Sequence, residues 1–225
     1  MQRHQTSVNQ FGKGKVRFDI FMSKFAIRMN IQPLIEHFKY YLPLGDEEIR
    51  ELEKRASIRK VKRRQLILNE GDICMCYTFV IEGCFKMYKV DDSGKEHNLQ
   101  FAVENGWIAD LGSFYSEKPS ELYIEAMENS VVIQIKKEDM LFFFTNYSKF
   151  DRNFRVLVEN AFIEMQHRVL QNISSTAEER YLDFLEKHPK LFNRISNVQI
   201  ASYIGVTPEF LSKIRNEITT KQLKY

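Results

Sequence analysis

The sequence predicts an α+β protein in which an antiparallel β jelly roll is followed by one long helix and a small helix-turn-helix domain. Apolar residues change from helical spacing to alternation and back again along the chain, and turn-forming residues divide the alternating part into short strands. The predicted boundaries are 1–29 for a disordered basic extension, 30–147 for the jelly roll, 148–172 for the long helix and 173–225 for the helix-turn-helix domain.

Composition limits the class of protein. The chain has 225 residues, is 44% hydrophobic and carries a net charge of +3, so it can bury one or two cores and is not basic throughout. No apolar run approaches the ~20 residues of a membrane span, and no signal-like segment follows the basic start. We therefore expect a cytoplasmic protein without a membrane partner.

The first 22 residues carry four basic residues and one acidic residue, with few apolar residues at a regular spacing. This composition predicts a disordered, solvated tail, and Met22 or Met29 is an alternative start of translation. A basic arm that touches DNA is the alternative interpretation of the same charges.

Two short helices are expected next, over 31–41 and 46–56. Six strands then follow from alternation and from turn signals such as Gly71-Asp72 and Glu82-Gly83, which is typical of a sandwich or jelly roll. The basic run 59–64 falls at a strand edge and is interpreted as solvated surface rather than as a nucleic-acid contact. The helices would turn Leu34, Ile35, Phe38, Ile49 and Leu52 inward, and the strands would span 65–68, 77–81, 85–90, 95–102, 122–126 and 131–135.

The three cysteines, Cys74, Cys76 and Cys84, form an odd and crowded set, so reduced thiols are expected. Alternation would place Cys74 and Cys76 on one face of a strand as small core residues. The alternative is a redox-responsive regulator that acts through all three thiols.

From about residue 149 apolar residues recur at steps of three and four over some six turns. So wide a stripe needs a partner, and helix-turn-helix proteins bind paired half-sites as two-fold dimers. We therefore predict a homodimer interface along this helix, a hinge at 172–176, and a supporting helix over 177–187 with Tyr181, Leu182 and Leu185 inside. The predicted interface residues are Phe150, Phe154, Leu157, Val158, Ala161, Met165 and Val169.

The helix-turn-helix is predicted between residues 198 and 216. Gly205 ends a first helix because glycine tolerates a left-handed backbone, while Thr207 and Pro208 suit the cap and the first position of a second helix. Residues 190–225 hold six Lys or Arg against two Glu, an excess that suits phosphate binding. Ile200, Ala201, Ile204, Phe210, Leu211 and Ile214 would face inward, leaving Thr207, Pro208, Glu209, Ser212, Lys213, Arg215 and Asn216 to contact a DNA major groove.

From residue 32 onward the chain resembles the Crp/Fnr family of bacterial transcription regulators. The resemblance rests on Asn69-Glu70-Gly71-Asp72, on 79–83 followed by 85–88, and on 106–114, where the family has its cyclic-nucleotide cassette. It implies a cyclic-nucleotide-binding-like jelly roll as the sensor domain and a dimerisation helix. The implied partners are double-stranded DNA with an inverted-repeat operator, RNA polymerase and an unidentified small ligand.

In the family's cyclic AMP binders an acidic residue holds the ribose, and an Arg followed by Ser or Thr holds the phosphate. Asp110 stands at the acidic position, but Ser120 and Glu121 stand where the Arg pair is expected, with Lys118 as a weaker substitute. We therefore expect a sensor that does not use cyclic AMP, with a ligand pocket formed by Ile108, Ala109, Asp110, Leu111, Lys118, Ser120 and Glu121.

No cofactor can be assigned from the sequence. Three cysteines are too few for an iron–sulfur cluster, the histidines are scattered, and a single axial His such as His97 is the least that a haem would need. A jelly-roll enzyme is disfavoured because clustered metal ligands and a nucleophile motif are missing from the sequence.

The seven residues from Thr219 are also too few for a wing hairpin after the second helix. The favoured function is a sequence-specific DNA-binding transcription regulator.

Overall fold

A computed structural model of the protein describes residues 31–222. The predicted extension over 1–29 lies outside these residues. Helix α1 covers residues 31–39 and α2 covers Asp46–Arg55, close to the two predicted helices. Acidic residues in the first turn of α2 and basic residues in its last turn both favour the helix dipole.

Eight strands form two four-stranded antiparallel sheets, which confirms the jelly-roll prediction. One sheet has the strand order β1-β8-β3-β6 and the other has the order β2-β7-β4-β5. A short helix, α3 (Leu111–Ser116), connects β6 to β7. The strands are β1 (Ala56–Val61), β2 (Leu66–Leu68), β3 (Cys76–Glu82), β4 (Phe85–Val90), β5 (Glu96–Ala102), β6 (Trp107–Ile108), β7 (Tyr123–Ala126) and β8 (Ser130–Lys136).

Two strands were not predicted. Strand β1 lies at the sheet edge and contains part of the basic run, so its charges conceal the alternation that marks a strand. Strand β6 has only two residues, too few to show any period. The other six strands lie within two residues of their predicted positions.

After the jelly roll come α4 (Lys137–Asn146), which was not predicted, and the long helix α5 (Ser148–Ser174). The first turns of α5 belong to the jelly-roll core, where Phe150 stacks on Phe143 with ring centroids 4.3 Å apart. Asn153 of α5 also donates a hydrogen bond to the Leu42 carbonyl, 2.8 Å away. The beginning of α5 is thus anchored to its own jelly roll. No helix in the described range 31–222 is long and apolar enough to cross a membrane.

A second core lies in the C-terminal helices α6 (Ala177–Lys187), α7 (Asn197–Ile204) and α8 (Pro208–Gln222). Helix α6 has the predicted bounds and buries Tyr181, but Leu182, predicted to lie inside, is 45% exposed. Phe184 takes the inward place, because it lies three residues after Tyr181 on the same helix face. Cys84, from the β3–β4 turn, contributes to this second core.

Candidate functional site

The helix-turn-helix begins with a capped helix. The Ser196 hydroxyl caps α7 by accepting from the Gln199 N–H, and the Gln199 side chain accepts in return from the Ser196 N–H at 2.8 Å. Gly205 ends the helix with φ +73°, a left-handed conformation that glycine adopts without a Cβ penalty. The Thr207 hydroxyl then accepts from the Phe210 N–H at 3.2 Å, and α8 starts at Pro208. The predicted end, turn and restart are confirmed.

Most of the predicted inner face is also confirmed. Ile200, Ala201, Ile204, Leu211 and Ile214 are all buried in the second core. Phe210 is the exception, because it is 48% exposed although it was predicted to pack inward. The inner line of α8 follows Leu211, Ile214 and Ile218 at helical steps, which leaves Phe210 at the edge of that face.

The outer face of α8 is polar and open. Glu209, Ser212, Lys213 and Asn216 line an open surface, and each is exposed. Thr207 is also exposed, whereas Pro208 is half-buried and its carbonyl accepts from the Ser212 hydroxyl at 2.9 Å. Most residues predicted to contact DNA thus lie on one accessible helix face.

Arg215 is placed differently from the other predicted DNA-contact residues. It is half-buried, donates a hydrogen bond to the Asn197 side chain, and holds its guanidinium 5.9 Å from the centroid of the Phe192 ring. Lys213, in contrast, forms no ion pair with any other residue of the described chain. Lys213 is therefore the freer cation of the two.

In the jelly roll, Asp110 is engaged by the chain itself. One carboxylate oxygen caps α3 by accepting from the Ser113 N–H at 3.2 Å, and the other accepts from the Ser120 hydroxyl at 2.7 Å. Ser120 is buried and its backbone N–H donates to the Asp72 carbonyl at 2.8 Å. The two residues at the predicted ribose and phosphate positions thus bind each other.

The remaining residues of the predicted pocket do not converge. Glu121 is 76% exposed on its side chain and pairs with Lys89 at 2.5 Å, which lowers the pKa of this carboxyl. Lys118 is exposed, and its carbonyl accepts from the Ser113 hydroxyl at 2.6 Å. Ile108 and Ala109 are buried, while Leu111 faces solvent. None of the seven lines the large cavity described next.

That cavity has a volume of about 670 Å³ and lies between the jelly roll, α5 and α7. Its apolar lining includes Trp107, Leu122 and Leu157, and its polar lining includes Glu164 and Arg168. Sequence reasoning missed it, because strands distant in the chain and the middle of α5 form it together. The signal that could have suggested it is Arg168, a cation within the apolar repeat of α5, since a charged side chain on a buried face needs a partner.

Arg168 joins three elements around this cavity. Its guanidinium donates to the Leu99 carbonyl of β5 and lies 4.4 Å from the centroid of the Tyr203 ring of α7. His188 also lines the cavity, and burial lowers its pKa, which favours the neutral ring. The cavity is thus lined by Arg168 and His188 together with two acidic residues, Glu104 and Glu164.

A network of hydrogen bonds and ion pairs fastens the helix-turn-helix domain to the jelly roll. Arg194 pairs with Glu104 through two hydrogen bonds of 2.8 and 2.9 Å and also with Glu128. The Arg194 guanidinium lowers the pKa of Glu104 to about 2. The Ser202 hydroxyl of α7 meanwhile donates to the Glu96 carbonyl of β5 at 2.8 Å.

The outward side of α5 carries an exposed apolar stripe. Val158, Phe162, Met165 and Val169 recur at steps of four, three and four, and Phe162 is 61% exposed. The interface prediction must be corrected for Phe150 and Phe154, which are buried in the jelly-roll core. Leu157 packs partly against that core, whereas Val158, Ala161, Met165 and Val169 are exposed in the single chain.

The three cysteines do not form one site. Cys74 and Cys76 were predicted to share one face of a strand. Cys74 instead lies outside β3, in the jelly-roll core, so the two residues do not share a strand face. Cys84 belongs to the second core, and burial raises its thiol pKa to about 12. Burial also raises the pKa of the other two thiols.

His97, the candidate axial ligand, is exposed on β5 and pairs with Asp91 at 2.7 Å. Among residues 31–222 no group of three His, Cys, Asp or Glu could hold a metal.

Residues 58–147 match the family model for the cyclic nucleotide-binding domain. A search of curated protein sequences gave no match. Solved structures are similar over most of the chain. FixK2 from Bradyrhizobium japonicum is 18% identical with a TM-score of 0.65, covering 74% of this chain and 86% of FixK2.

Two other solved structures agree. CLP from Xanthomonas campestris, a c-di-GMP responsive global regulator, is 14% identical with a TM-score of 0.65, covering 78% of this chain and 92% of CLP. A Crp/Fnr regulator from Eubacterium rectale is 16% identical with a TM-score of 0.63, covering 79% of this chain and 85% of that one. The chain therefore contains a cyclic nucleotide-binding domain and has the fold of the Crp/Fnr transcriptional regulators.

Proposed function

We propose that the protein is a dimeric, sequence-specific DNA-binding regulator of transcription whose jelly roll responds to a small ligand. The observation that carries the proposal is the outer face of α8, where Glu209, Ser212, Lys213 and Asn216 are exposed together at the start of a capped helix. Recognition helices present their N-terminal residues to base edges in this way. The fold belongs to regulators rather than to enzymes.

Two kinds of DNA contact are proposed for α8. Lys213 is an exposed cation without an ion-pair partner among residues 31–222, which suits a phosphate or a guanine. Ser212 and Asn216 can donate and accept hydrogen bonds at base edges. Arg215 already binds Asn197, so we assign it to orienting α7 against α8 and to an outer phosphate. Thr207, Pro208 and Glu209 lie at the N-terminal end of α8, which is the end that would enter the groove.

The apolar stripe of α5 supports the dimer. Steps of four, three and four between Val158, Phe162, Met165 and Val169 are the spacing of a two-stranded coiled-coil seam. Left in water, the stripe would expose several large apolar side chains on one helix face. A second α5 related by a two-fold axis would cover it and pair the two α8 helices for an inverted repeat.

The cavity between α5 and the jelly roll supports a ligand-binding function. A volume of about 670 Å³ lies in the usual range for small-molecule sites, and Arg168, Glu104 and Glu164 give the cavity charged groups of both signs. Asp110 and Ser120 bind each other, which is a second reason to expect a ligand other than cyclic AMP. RNA polymerase remains a predicted partner.

The raised pKa values of the thiols disfavour the alternative of a redox-responsive regulator.

The test uses an operator selected from random duplexes with the full chain. Lys213→Ala should weaken operator binding, and the slope of log K against log salt should fall by about 1.8, or about 0.9 for each protomer of the dimer, if Lys213 meets a phosphate. If it meets a base, discrimination at one operator position should fall by about 1–3 kcal/mol instead. Lys39→Ala, on the distant helix α1, is the control and should bind like the wild type. Failure to select any operator, or unchanged binding by Lys213→Ala, would count against the proposal.

A further inference from the structure

The cavity between the jelly roll, α5 and α7 has one end with charges of both signs and one end that is uncharged. Glu164 and Arg168 line the charged end, and His37 and Trp107 line the other. We propose that this cavity binds an α-amino acid with a large apolar side chain, whose ammonium meets Glu164 and whose carboxylate meets Arg168. This inference rests on the proposed function, because it names the class of ligand to which the regulator responds.

One face of α5 forms a wall along the cavity. Its lining residues recur at steps of four, three and four, and they include Leu157, Ala161, Glu164 and Arg168. The ring of Trp107 lies 4.9 Å from the ring of Phe154, which comes just before Leu157 in the helix. Arg168 lies about three helical turns beyond Leu157, beside Tyr203 of α7. The apolar and the charged parts of the cavity therefore lie at opposite ends of this wall.

Glu164 carries a negative charge that its surroundings compensate only weakly. Its side chain is 57% exposed, and its carboxylate lies 3.9 Å from Nε2 of His188. Burial lowers the pKa of His188, so this ring is mainly neutral near neutral pH. Glu104, the other acid of the cavity, is in contrast held by two hydrogen bonds from Arg194. Glu164 is therefore the acid that can bind the ammonium group of a ligand.

Arg168 keeps hydrogen-bond donors for a carboxylate. A guanidinium has several N–H donors, and one of those of Arg168 binds the Leu99 carbonyl of β5. The guanidinium carbon also lies 4.4 Å from the centroid of the Tyr203 ring. These two contacts fix the orientation of the guanidinium, and a fixed guanidinium favours bidentate binding of a carboxylate.

Glu164 and Arg168 are one helical turn apart but do not pair with each other. An acid followed by a base at this spacing usually favours an ion pair, because the two Cβ atoms are about 5–6 Å apart on one helix face. The ion pairs within residues 31–222 include none between these two side chains. An α-amino acid carries its ammonium and its carboxylate on a single carbon, so it can meet both side chains at once through charge-assisted hydrogen bonds.

The other end of the cavity suits an apolar side chain. The Trp107 indole N–H donates to Nε2 of His37 at 3.4 Å, so each of these two polar atoms has a partner. Burial lowers the pKa of His37, which keeps its ring neutral and able to accept this hydrogen bond. Met87, Phe101 and Leu122 also line the cavity. A large apolar side chain bound here would remove these surfaces from water.

Arg168 also connects the ligand with DNA binding. It contacts both β5 and α7, and α7 is the first helix of the helix-turn-helix. A carboxylate bound to its guanidinium would add a contact to the side chain that joins these two elements. The bound amino acid should therefore change operator affinity, and operator should change amino-acid affinity by the same factor.

The experiment compares three probes by isothermal titration calorimetry with the full-length protein. L-Phenylalanine has both charged groups, 3-phenylpropionate lacks the ammonium and phenethylamine lacks the carboxylate. Glu164→Gln and Arg168→Gln are the test variants. Glu159→Gln is the matched control, because Glu159 is exposed on the opposite face of α5. Thermal melting followed by circular dichroism shows that each variant is folded.

We expect the wild type to bind L-phenylalanine about tenfold more tightly, or better, than either analogue, since each analogue lacks one charge-assisted hydrogen bond. Glu164→Gln should lose the preference over 3-phenylpropionate, and Arg168→Gln should lose the preference over phenethylamine. Glu159→Gln should bind all three probes like the wild type. Glycine should bind more weakly than L-phenylalanine or L-leucine, because it has no side chain for the apolar end. Saturating L-phenylalanine should change operator affinity by about fivefold or more in the wild type but not in Glu164→Gln.

Other outcomes are distinct. Tighter binding of 3-phenylpropionate or of phenethylamine than of L-phenylalanine would overturn the inference in favour of a simple anion or a simple cation. An equal loss in Glu159→Gln and Glu164→Gln would reduce the effect to general charge and would also overturn it. If neither L-phenylalanine nor L-leucine binds at millimolar concentration to a protein that binds its selected operator, the inference is wrong and the proposed function stands. Failure to select any operator would instead overturn the proposed function, while calorimetry still decides whether the cavity binds an amino acid.

Discussion

The Ser120 hydroxyl donates a hydrogen bond of 2.7 Å to the Asp110 carboxylate, ten residues earlier in the chain. The contact joins the start of α3 to the segment before β7, and the other Asp110 oxygen caps α3. In the resemblance to cyclic AMP binders these two positions face a ribose and a phosphate. Here they form a structural link, which makes the segment rigid without a nucleotide.

Asp110→Ala should therefore lower stability rather than ligand affinity. The substitution removes a helix cap and a hydrogen bond to a charged group, so the free energy of unfolding should fall by about 2 kcal/mol. Glu121→Gln is the control, because its ion pair with Lys89 is exposed to solvent and should contribute little to stability. Urea unfolding followed by Trp107 fluorescence measures both. Calorimetry should find cyclic AMP binding weaker than micromolar in the wild type and no tighter in Asp110→Ala. Micromolar binding that Asp110→Ala abolishes would contradict this.

Substitutions at different positions of α5 should affect folding and dimerisation separately. Phe154 is buried among aromatic rings, 4.9 Å from both Phe150 and Trp107, so Phe154→Asp should unfold the jelly roll by burying a charge. Val158→Asp with Val169→Asp should leave the fold intact, because both side chains are exposed in the single chain. Charges facing each other across the proposed seam should instead give monomers that bind the operator weakly.

Sedimentation velocity and circular dichroism distinguish the two cases. Lys39→Asp, an exposed change on α1, is the control and should stay folded and dimeric. A folded Val158→Asp, Val169→Asp variant that remains dimeric at micromolar concentration would show that the dimer, if any, uses another surface.

The division of α5 shows what the sequence can predict and what it cannot. Its apolar repeat indicates a helix and a stripe, and both are present. The repeat alone does not show which part of the stripe packs against the jelly roll and which part is exposed. Phe154 and Val158 are one helical turn apart and equally apolar in sequence. Only the aromatic cluster of the jelly roll, brought there by α1 and by β6, determines which part is buried.

The candidate functional site also has parts that the sequence predicts and parts that it does not. Local chemistry was sufficient for the helix-turn-helix, because caps, Gly205 and helical spacing are all encoded within about 20 residues. The cavity beside Arg168 depends on β5, α5 and α7, which are far apart in the chain. Phe210 was placed on the wrong face because residues at the edge of an amphipathic stripe are decided by tertiary packing.

The cysteines should be unreactive in the folded protein. Burial raises the thiol pKa of Cys84 to about 12, against about 8.5 for a free cysteine, so little nucleophilic thiolate is present near neutral pH. Alkylation of Cys84 by iodoacetamide at pH 7.5 should be at least about a hundredfold slower than in the urea-unfolded chain. Peptide mass spectrometry reads each thiol separately. Rapid modification of all three thiols, with loss of DNA binding, would restore the redox alternative.

Acid should weaken the contact between the helix-turn-helix domain and the jelly roll. Arg194 lowers the pKa of Glu104 to about 2 from an ordinary value of 4.5. Because the folded-state pKa is depressed, this ion pair contributes its full stability above pH 4.5 and loses it as the pH falls toward 2. Wild-type stability should therefore decline across that window, partly through Glu104.

Arg194→Gln should be less stable than the wild type at pH 7 and should show a shallower decline between pH 4.5 and pH 2, because Glu104 then titrates nearer its ordinary value. Arg155→Gln is the matched control, since Arg155 lies on an exposed face of α5 in a long ion pair of 3.9 Å. Urea unfolding at several pH values, followed by Trp107 fluorescence and by circular dichroism, gives both slopes. Equal slopes for the wild type and Arg194→Gln would mean that Glu104 is not held by Arg194 in solution, and that the two domains are fastened mainly through Ser202 and the apolar surface around Cys84.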